Sequence, residues 1–317
     1  MNTVRLLIRS EYRMFRNVYL KNPATISLDH YQLEVATNGS KYHFPFDDIQ
    51  SLLIESLDSK ISTAALSELA EHGITVITCD SQHLPSGTLL PLGIGGYYQH
   101  LKTLNLQLAL TKRFKDRLTR KVIKQKIHNQ GTVVQLLTGG PATVLNKLAD
   151  AVLDGDESAR EGVAAKIYFT TIGGQEFNRR LGNLTNGALN YGFSILRSCI
   201  ARELVQFGFE PALAFNHHNL QNPFNLADDL IEPFRPVVEL YVFSQLSAQS
   251  NEMLSSENKA QLLRILSYEV LINNQCQSVQ YAIHLVVESL WNACESQKIT
   301  PLLLPKVVTL QVHKNEE

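Results

Sequence analysis

The sequence predicts an α+β protein of two domains. A small, β-rich, β-sandwich-like N-terminal domain is expected over residues 1–95, and a larger all-α domain over residues 96–317. Three observations carry this. A chain of 317 residues exceeds what one core usually serves. Short runs of β-formers bounded by turn residues fill the first stretch, and long helical periodicity fills the rest. Between them lies Leu92-Gly-Ile-Gly-Gly96, a glycine-rich break that reads as a linker, because it has neither the GxGxxG spacing nor the Lys-Ser/Thr of a phosphate-binding loop.

In the first domain, Thr25 to Leu28 and Gln32 to Ala36 read as strands. Asn38-Gly39 joins Tyr31–Thr37 to Lys41–Phe46, the strongest short hairpin signal. Ile49 to Ile54 is a further apolar strand. A helix from Ser62 to His72 is capped by Ser62, carries Leu66 and Leu69 on one face and closes at Gly73. Ile74 to Thr78 is a strand, and Pro85-Ser86-Gly87 a turn into Thr88–Leu92. In the second domain, Tyr98 to Asn129 reads as one long helix with Leu101, Leu104, Leu108, Phe114, Leu118, Val122 and Ile127 as its apolar positions. Further helices are expected over Asp156–Thr171, Leu184–Phe207 (ended by Gly208 and Pro211), Leu226–Glu232 (running into Pro233), Asn258–Asn273 and Ser278–Glu295, with a frayed tail after Pro305.

Composition bounds the function. No apolar run approaches the roughly 18 residues that span a bilayer, and the N-terminus lacks a secretion signal, so a soluble, cytoplasmic protein without membrane contact is expected. The four cysteines are far apart with no CxxC pair, and read as buried thiols. A net charge of −1 argues against a uniformly basic nucleic-acid binder, but nine Lys or Arg residues lie between Lys102 and Lys126 against one acid, Asp116. A solvated helix face is the plain explanation of Lys112, Arg113, Lys115, Arg117, Arg120, Lys121, Lys124 and Lys126. With almost no acids to pair with, phosphate contact is the other, and Arg117, Lys121 and Lys124, at i, i+4 and i+7, are the expected backbone contacts. Arg179 and Arg180 are further DNA candidates; Arg235 is either another or the partner of a carboxylate.

Three segments carry candidate chemistry. Glu161, in REGVAAKIYF, shares a helix face with Ala164, Ala165 and Tyr168; taken alone it is equally a solvated glutamate. His217-His218 follows an apolar stretch and is either a ligand pair or two ordinary histidines. Asp229 and Glu232 lie at i,i+3, where like charges repel and a cation would relieve them. An acidic first turn capped by Asn225 explains Asp228 and Asp229 but not Glu232. Two carboxylates and one imidazole without cysteine suit Mg²⁺ or Mn²⁺, and the natural chemistry of such a site is displacement at phosphorus.

REGVAAKIYF, NGALNYGFSILRS (186–198) and PALAFNHHNLQNPFNLADDLIEPFRP (211–236) together give the chain its resemblance to the CRISPR-associated adaptation integrases, the nuclease/integrase family that inserts new spacers. The resemblance implies that Glu161, His217 and Glu232 are the catalytic metal ligands, with Asp229 supporting and His218 a neighbour. It implies a dimerising N-terminal domain, a catalytic C-terminal domain, and homodimers that flank a smaller partner subunit in a prokaryotic cell. It implies joining of the 3′-hydroxyl ends of short double-stranded DNA fragments to the CRISPR repeat, with metal-dependent endonuclease activity beside it. Phe215-Asn216 stand where the family often has a glycine before the histidine, and Asn222–Asn225 replace a Gly-Arg pair; the FNLADD form is similar to that of type II systems. The rival expectation is a catalytically inactive nucleic-acid-binding scaffold of the same machinery.

Overall fold

The computed structural model describes residues 16–90, 97–247 and 254–313. The whole glycine-rich break, Leu92–Gly96, and residues 1–15 therefore lie outside the described residues. The chain divides into two compact units, the first ending at Ile94 and the second running Gly95–His313.

The first unit holds β1 (Arg16–Leu20), β2 (Thr25–Asp29), β3 (Gln32–Thr37), β4 (Ser40–Pro45), β5 (Ile49–Ile54), β6 (Lys60–Ile61), α1 (Thr63–Glu71), β7 (Thr75–Cys79) and β8 (Pro85–Thr88). They form two four-stranded sheets, ordered β1-β5-β7-β8 and β4-β3-β2-β6. One core joins them: Leu20, Leu52, Ile54 and Val76 from the first sheet, Ile26, Leu33, Val35 and Phe44 from the second, and Ala65 and Leu69 from α1. β5 is buried at every position, as a strand between two parallel neighbours should be. Asn38 and Gly39 both take positive φ, 51° and 75°, the turn that matches strand twist. The β2–β3 turn does the same with His30 and Tyr31, which carry no glycine signal. Pro85–Gly87 is strand instead of turn, pairing with β7; the reversal falls earlier, where Asp80 Oδ1 accepts from the Gln82 and Leu84 N–H groups.

The second unit holds α2 (Tyr97–Leu108), α3 (Lys112–Thr138), α4 (Thr143–Asp150), α5 (Arg160–Gly173), α6 (Leu184–Gln206), α7 (Asn225–Leu230), α8 (Arg235–Tyr241), α9 (Ser256–Leu263), β9 (Tyr268–Ile272), β10 (Gln275–Ser278), α10 (Val279–Ser296) and β11 (Lys306–Val312). It is not all-α. The Asn258–Asn273 segment is α-helix to Leu263 and 3-10 helix to Ser267, and then becomes β9, flanked by β10 and by β11, where the sequence pattern suggests only a frayed tail. Asn273 and Asn274, both at positive φ, make the β9–β10 turn. The expected Tyr98–Asn129 helix is two helices, because the Thr111 side chain accepts from the Phe114 N–H and starts α3 afresh. α3 then continues to Thr138 and ends at Gly139 in the left-handed conformation.

α2 faces inward with polar groups. Leu101 and Leu108 are exposed, whereas Thr103 and Gln107 are buried. The Thr103 hydroxyl donates to Phe207 O at 3.0 Å. The Gln107 amide donates to Glu210 O and Leu213 O and accepts from the Glu210 N–H. These bonds fix the segment after α6 that leads to His217. Asn129, buried in α3, donates to Pro233 O at 2.7 Å and Pro305 O at 2.9 Å and accepts from the Val307 N–H. It thereby ties the turn after Glu232, and the start of β11, to α3.

α6 runs through the middle of this unit, and at Gly192 it meets α8: a Cβ there would stand 2.5 Å from Val238 Cγ1. Gly192→Val should therefore force α6 and α8 apart and lower stability by at least about 2 kcal/mol. Urea unfolding measures this; an unchanged midpoint would mean that the two helices do not depend on the glycine.

Candidate metal centre

Glu161 stands in the first turn of α5. Asp156 prepares that turn: its Oδ1 accepts from the Arg160 N–H at 2.9 Å and its Oδ2 from the Glu161 N–H at 3.0 Å. The expected start of the helix at Asp156 is thus its side-chain cap. Ala164 and Tyr168, on the face of Glu161, are buried. From α3 the Lys126 ammonium reaches across and donates to Glu161 Oε1 at 2.5 Å.

Glu232 lies in the turn between α7 and α8 and is 5% exposed. Its Oε1 accepts from Arg235 Nε at 2.9 Å, and its Oε2 lies 2.5 Å from the same Lys126 Nζ that holds Glu161. Burial alone would raise the Glu232 pKa, but the Lys126 and Arg235 charges outweigh it and bring it to about 2. The Lys126 ammonium, opposed by burial and favoured by two carboxylates, is held protonated well above the ordinary lysine range.

His217 is placed by Asp229, whose side chain is fully buried. Asp229 Oδ2 accepts from the Phe215 and Asn216 N–H groups at 2.8 and 2.9 Å. Its Oδ1 accepts from the His217 N–H at 3.0 Å and pairs with His217 Nδ1 at 2.6 Å. With Nδ1 so held, the imidazole has Nε2 left for a ligand. The expected repulsion between Asp229 and Glu232 is relieved by two different partner sets, backbone amides for one and cations for the other. Asp228 is paired with Arg197 of α6 at 2.8 Å. Asn225 does not cap α7: its side-chain amide donates to Asn219 O and shapes the preceding loop. A cleft of about 410 Å³ opens beside His217 and His218, walled by Leu110, Phe209, Leu213 and Leu226.

Glu161 and Glu232 therefore converge on one ammonium, with His217 alongside, raised in pKa partly by the Glu232 charge. The three do not lie at ligand spacing. Among the described residues the group whose ligand atoms all fall within 4.8 Å of one another is Asp29, Glu34 and His43, in the other unit. That group is satisfied internally: Lys41 lies 2.9 Å from Glu34, and His43 Nε2 is 3.1 Å from Asp29 and 3.3 Å from Glu34. The Glu161–His217–Glu232 set fits a hard divalent cation better. Its donor types are the reason: two carboxylates that already gather around one positive charge, and an imidazole with one nitrogen open.

The basic stripe of α3 differs from what the sequence suggests. Acids do meet it, from residues 150–154 and from within the helix. Lys112 pairs with Asp116 at 2.7 Å, Arg120 with Asp154 at 3.4 Å and Lys124 with Asp150 at 2.8 Å. Lys121 is not an outward backbone contact: its ammonium donates to Ile299 O at 3.1 Å and also to Leu302 O, and burial pulls its pKa down. Lys126 turns inward altogether. Arg113 and Arg117 remain exposed with no ion pair among the described residues. Arg179 is spent on Asn186 and Asn190 of α6, at 2.5 and 3.0 Å, while Arg180 is exposed. Of the cysteines, Cys79, Cys199 and Cys294 are buried free thiols, but Cys276, on β10, is exposed. Sequence reasoning missed Lys126 and Asn129 as parts of the site. Their signal was only their i,i+3 spacing on a helix whose outward charges hid the inward one. Among the described residues no helix is long and apolar enough to cross a membrane.

The chain matches the family model for CRISPR associated protein Cas1 over residues 18–265. It is 37% identical over 309 residues to the CRISPR-associated endonuclease Cas1 of Neisseria meningitidis serogroup C (strain 8013), covering 95% of this chain and 99% of that one. Its fold is similar to that of a casposase bound to integration product, with a TM-score of 0.70 at 20% identity over 89% of this chain and 91% of the other. It is also similar to part of a chain in a Cas6-RT-Cas1–Cas2 complex, with a TM-score of 0.67 at 18% identity, covering 95% of this chain and 36% of that one.

The hydrogen bond that the His217 ring gives to Asp229 is the largest influence on His217; burial opposes it, and the balance raises the imidazole pKa above its ordinary value. A histidine raised on folding stabilises the fold fully below its unfolded pKa of about 6.5, and that contribution is lost as pH rises through the folded value. In the metal-free protein, an NMR titration should find His217 above about 6.5, and Asp229→Asn should lower it. The same variant should cost about 2–4 kcal/mol of stability, since it weakens four hydrogen bonds to one buried charge. An identical His217 titration in Asp229→Asn would refute this account.

Proposed function

We propose that this chain, which belongs to the Cas1 family of CRISPR-associated proteins, is a divalent-metal-dependent DNA endonuclease and integrase that joins the 3′-hydroxyl ends of short DNA fragments to a CRISPR repeat. The observation that carries this reading is the convergence of Glu161 and Glu232 on one buried cationic position beside a histidine whose second nitrogen is left open. Glu161, His217 and Glu232 are the metal ligands. Asp229 acts through His217, holding its ring orientation, and Arg235 keeps Glu232 ionised.

A divalent cation, Mg²⁺ or Mn²⁺, supplies positive charge at the reacting phosphate when it is bound there. The displacement is in line: the fragment's 3′-oxygen forms a bond to phosphorus as the repeat's own 3′-oxygen leaves, taking up the proton that the attacker gives up. With water as the attacker, the same displacement cuts. The chain's residues fix where that phosphate sits, and the cleft beside His217 leaves room for the strand end.

Arg113, Arg117 and Arg180 are the first DNA-backbone contacts. Lys112, Arg120 and Lys124 join them by exchanging carboxylates for phosphates. Exposed ion pairs of this kind contribute about 0–1 kcal/mol, so the exchange costs little. The β-rich N-terminal unit is the dimerisation domain and the second unit the catalytic domain. The assembly pairs such homodimers with a smaller subunit, as the Cas1–Cas2 composition of one structural neighbour suggests for that protein. The FNLADD segment and the Neisseria relative favour a type II system, acting on DNA in the prokaryotic cytoplasm. The scaffold alternative is disfavoured, because it leaves two carboxylates converged on a buried cationic position without a use.

On supercoiled plasmid carrying a repeat, fragment DNA with the smaller subunit should be joined in Mg²⁺ or Mn²⁺, and not in EDTA. His217→Ala should reduce joining to background while fragment binding survives; normal joining by that variant would refute the ligand assignment. Arg113→Ala with Arg117→Ala should weaken DNA binding and reduce the salt slope by roughly 0.9 for each phosphate no longer neutralised. A salt slope unchanged from wild type would return these arginines to a solvated face.

A further inference from the structure

Lys126 is the inward member of an otherwise outward stripe. Its side chain is 11% exposed, and its ammonium lies 2.5 Å from Glu161 Oε1 and 2.5 Å from Glu232 Oε2. Arg235 completes the cluster through Glu232 Oε1 at 2.9 Å. Two carboxylates thus face two cations, and Glu239, buried beside them, is pushed by burial toward its neutral form. Two carboxylates brought together without a cation would repel, and the buried one, Glu232, would carry a desolvation cost of several kcal/mol, whereas Glu161 keeps part of its solvent. Lys126 removes that cost.

The same ammonium stands in the way of a divalent cation. The oxygens that face Lys126 belong to the two carboxylates assigned above as ligands. A cation arriving at both must displace the ammonium from at least one of them, or share it. If Lys126 stayed in place, two positive side chains and two further metal charges would face two carboxylates, an excess that only added anions relieve. A DNA phosphate is such an anion, and an ammonium released from a carboxylate is a good partner for it.

We propose that Lys126 is a resident counter-ion that holds the two carboxylates in place before metal arrives, competes with the metal for them, and so couples metal binding to the arrival of DNA phosphate. This inference rests on the metal-site reading above. Lys126 is a positioning residue in this scheme: it sets the order and strength of binding and takes no part in bond making. The geometry behind it is a buried lysine whose ammonium touches two of the three proposed metal ligands, with no other side-chain hydrogen bond among the described residues.

The test is Mn²⁺ binding to the full chain, followed by the EPR signal of free Mn²⁺, with and without a short DNA duplex. Lys126→Met should bind Mn²⁺ at least about tenfold more tightly than wild type without DNA, the effect of removing one charged competitor. DNA should tighten Mn²⁺ binding to wild type by more than it does to Lys126→Met, and Lys126→Arg should restore the wild-type pattern. Metal-free Lys126→Met should also melt at lower temperature and recover most of the difference with Mn²⁺. If Lys126→Met is too unstable to purify, Lys126→Gln keeps one donor to a carboxylate and should show the same tightening. Mn²⁺ affinity equal to or weaker than wild type in the neutral variant would overturn the proposal. Glu161→Gln separates this from the parent reading: undiminished Mn²⁺ binding there would overturn the site assignment itself, whereas loss of binding there with unchanged affinity in Lys126→Met would overturn only the role given to Lys126.

Discussion

The interaction on which the site depends is a single ammonium shared by two carboxylates. Burying an ionised group costs several kcal/mol even after relaxation, so buried Glu232 needs a positive partner, and the same partner relieves its repulsion with half-buried Glu161. Lys126 is that charge, and it arrives from α3, a helix that neither carboxylate belongs to. α5 and the α7–α8 turn are brought together by their need for this cation as well as by apolar packing. Asn129, one turn further along α3, ties down the carbonyl of Pro233 beside Glu232. One face of α3 therefore supplies both the charge that the carboxylates require and the anchor that holds one of them in position.

Asp229 plays the corresponding part for the histidine. It is buried, and its two oxygens accept from three backbone N–H groups and pair with one imidazole nitrogen. A buried carboxylate is tolerable when its lone pairs are filled in this way, and the arrangement leaves the Phe215–His217 loop little freedom. The loop is held again at its base, where Gln107 of α2 bonds the backbone of Glu210 and Leu213. This is preorganisation in a literal sense: the imidazole is oriented by the protein alone, and little ordering of it would remain for any ligand. The face of α3 that carries its outward charges is organised differently. Its cations are held in weak ion pairs with acids at or near the surface, which contribute little order.

Much is legible in the sequence because it rests on local rules. The Asn38-Gly39 hairpin, the Ser62 cap and the buried run of β5 each follow from a few adjacent residues. Where the sequence misleads, a local rule is overridden by partners distant in the chain. Leu101 and Leu108 look like a core face until Thr103 and Gln107 find backbone carbonyls at positions 207–213. The β9 segment continues a helical pattern until β11, more than thirty residues later, offers it a ladder. Lys121 reads as a phosphate contact until the carbonyls of Ile299 and Leu302 appear beneath it.

The sequence by itself determined the division into a β-rich and a mainly helical region, the family, and the residue types of the site, because short motifs with specific spacing survive without coordinates. Residue by residue it left Glu161, His217 and Glu232 open; the family resemblance pointed to them, with Asp229 in support, and gave no reason for that support. The tertiary structure decided which cations are available to bind and which are spent, that Asp229 serves the histidine, and that Lys126 belongs to the carboxylates. Charge pairing acts through space over a few ångströms, and α3, α5 and the α7–α8 turn come that close only when the chain is folded. A one-dimensional pattern records which charges exist, and only folding assigns each its partner.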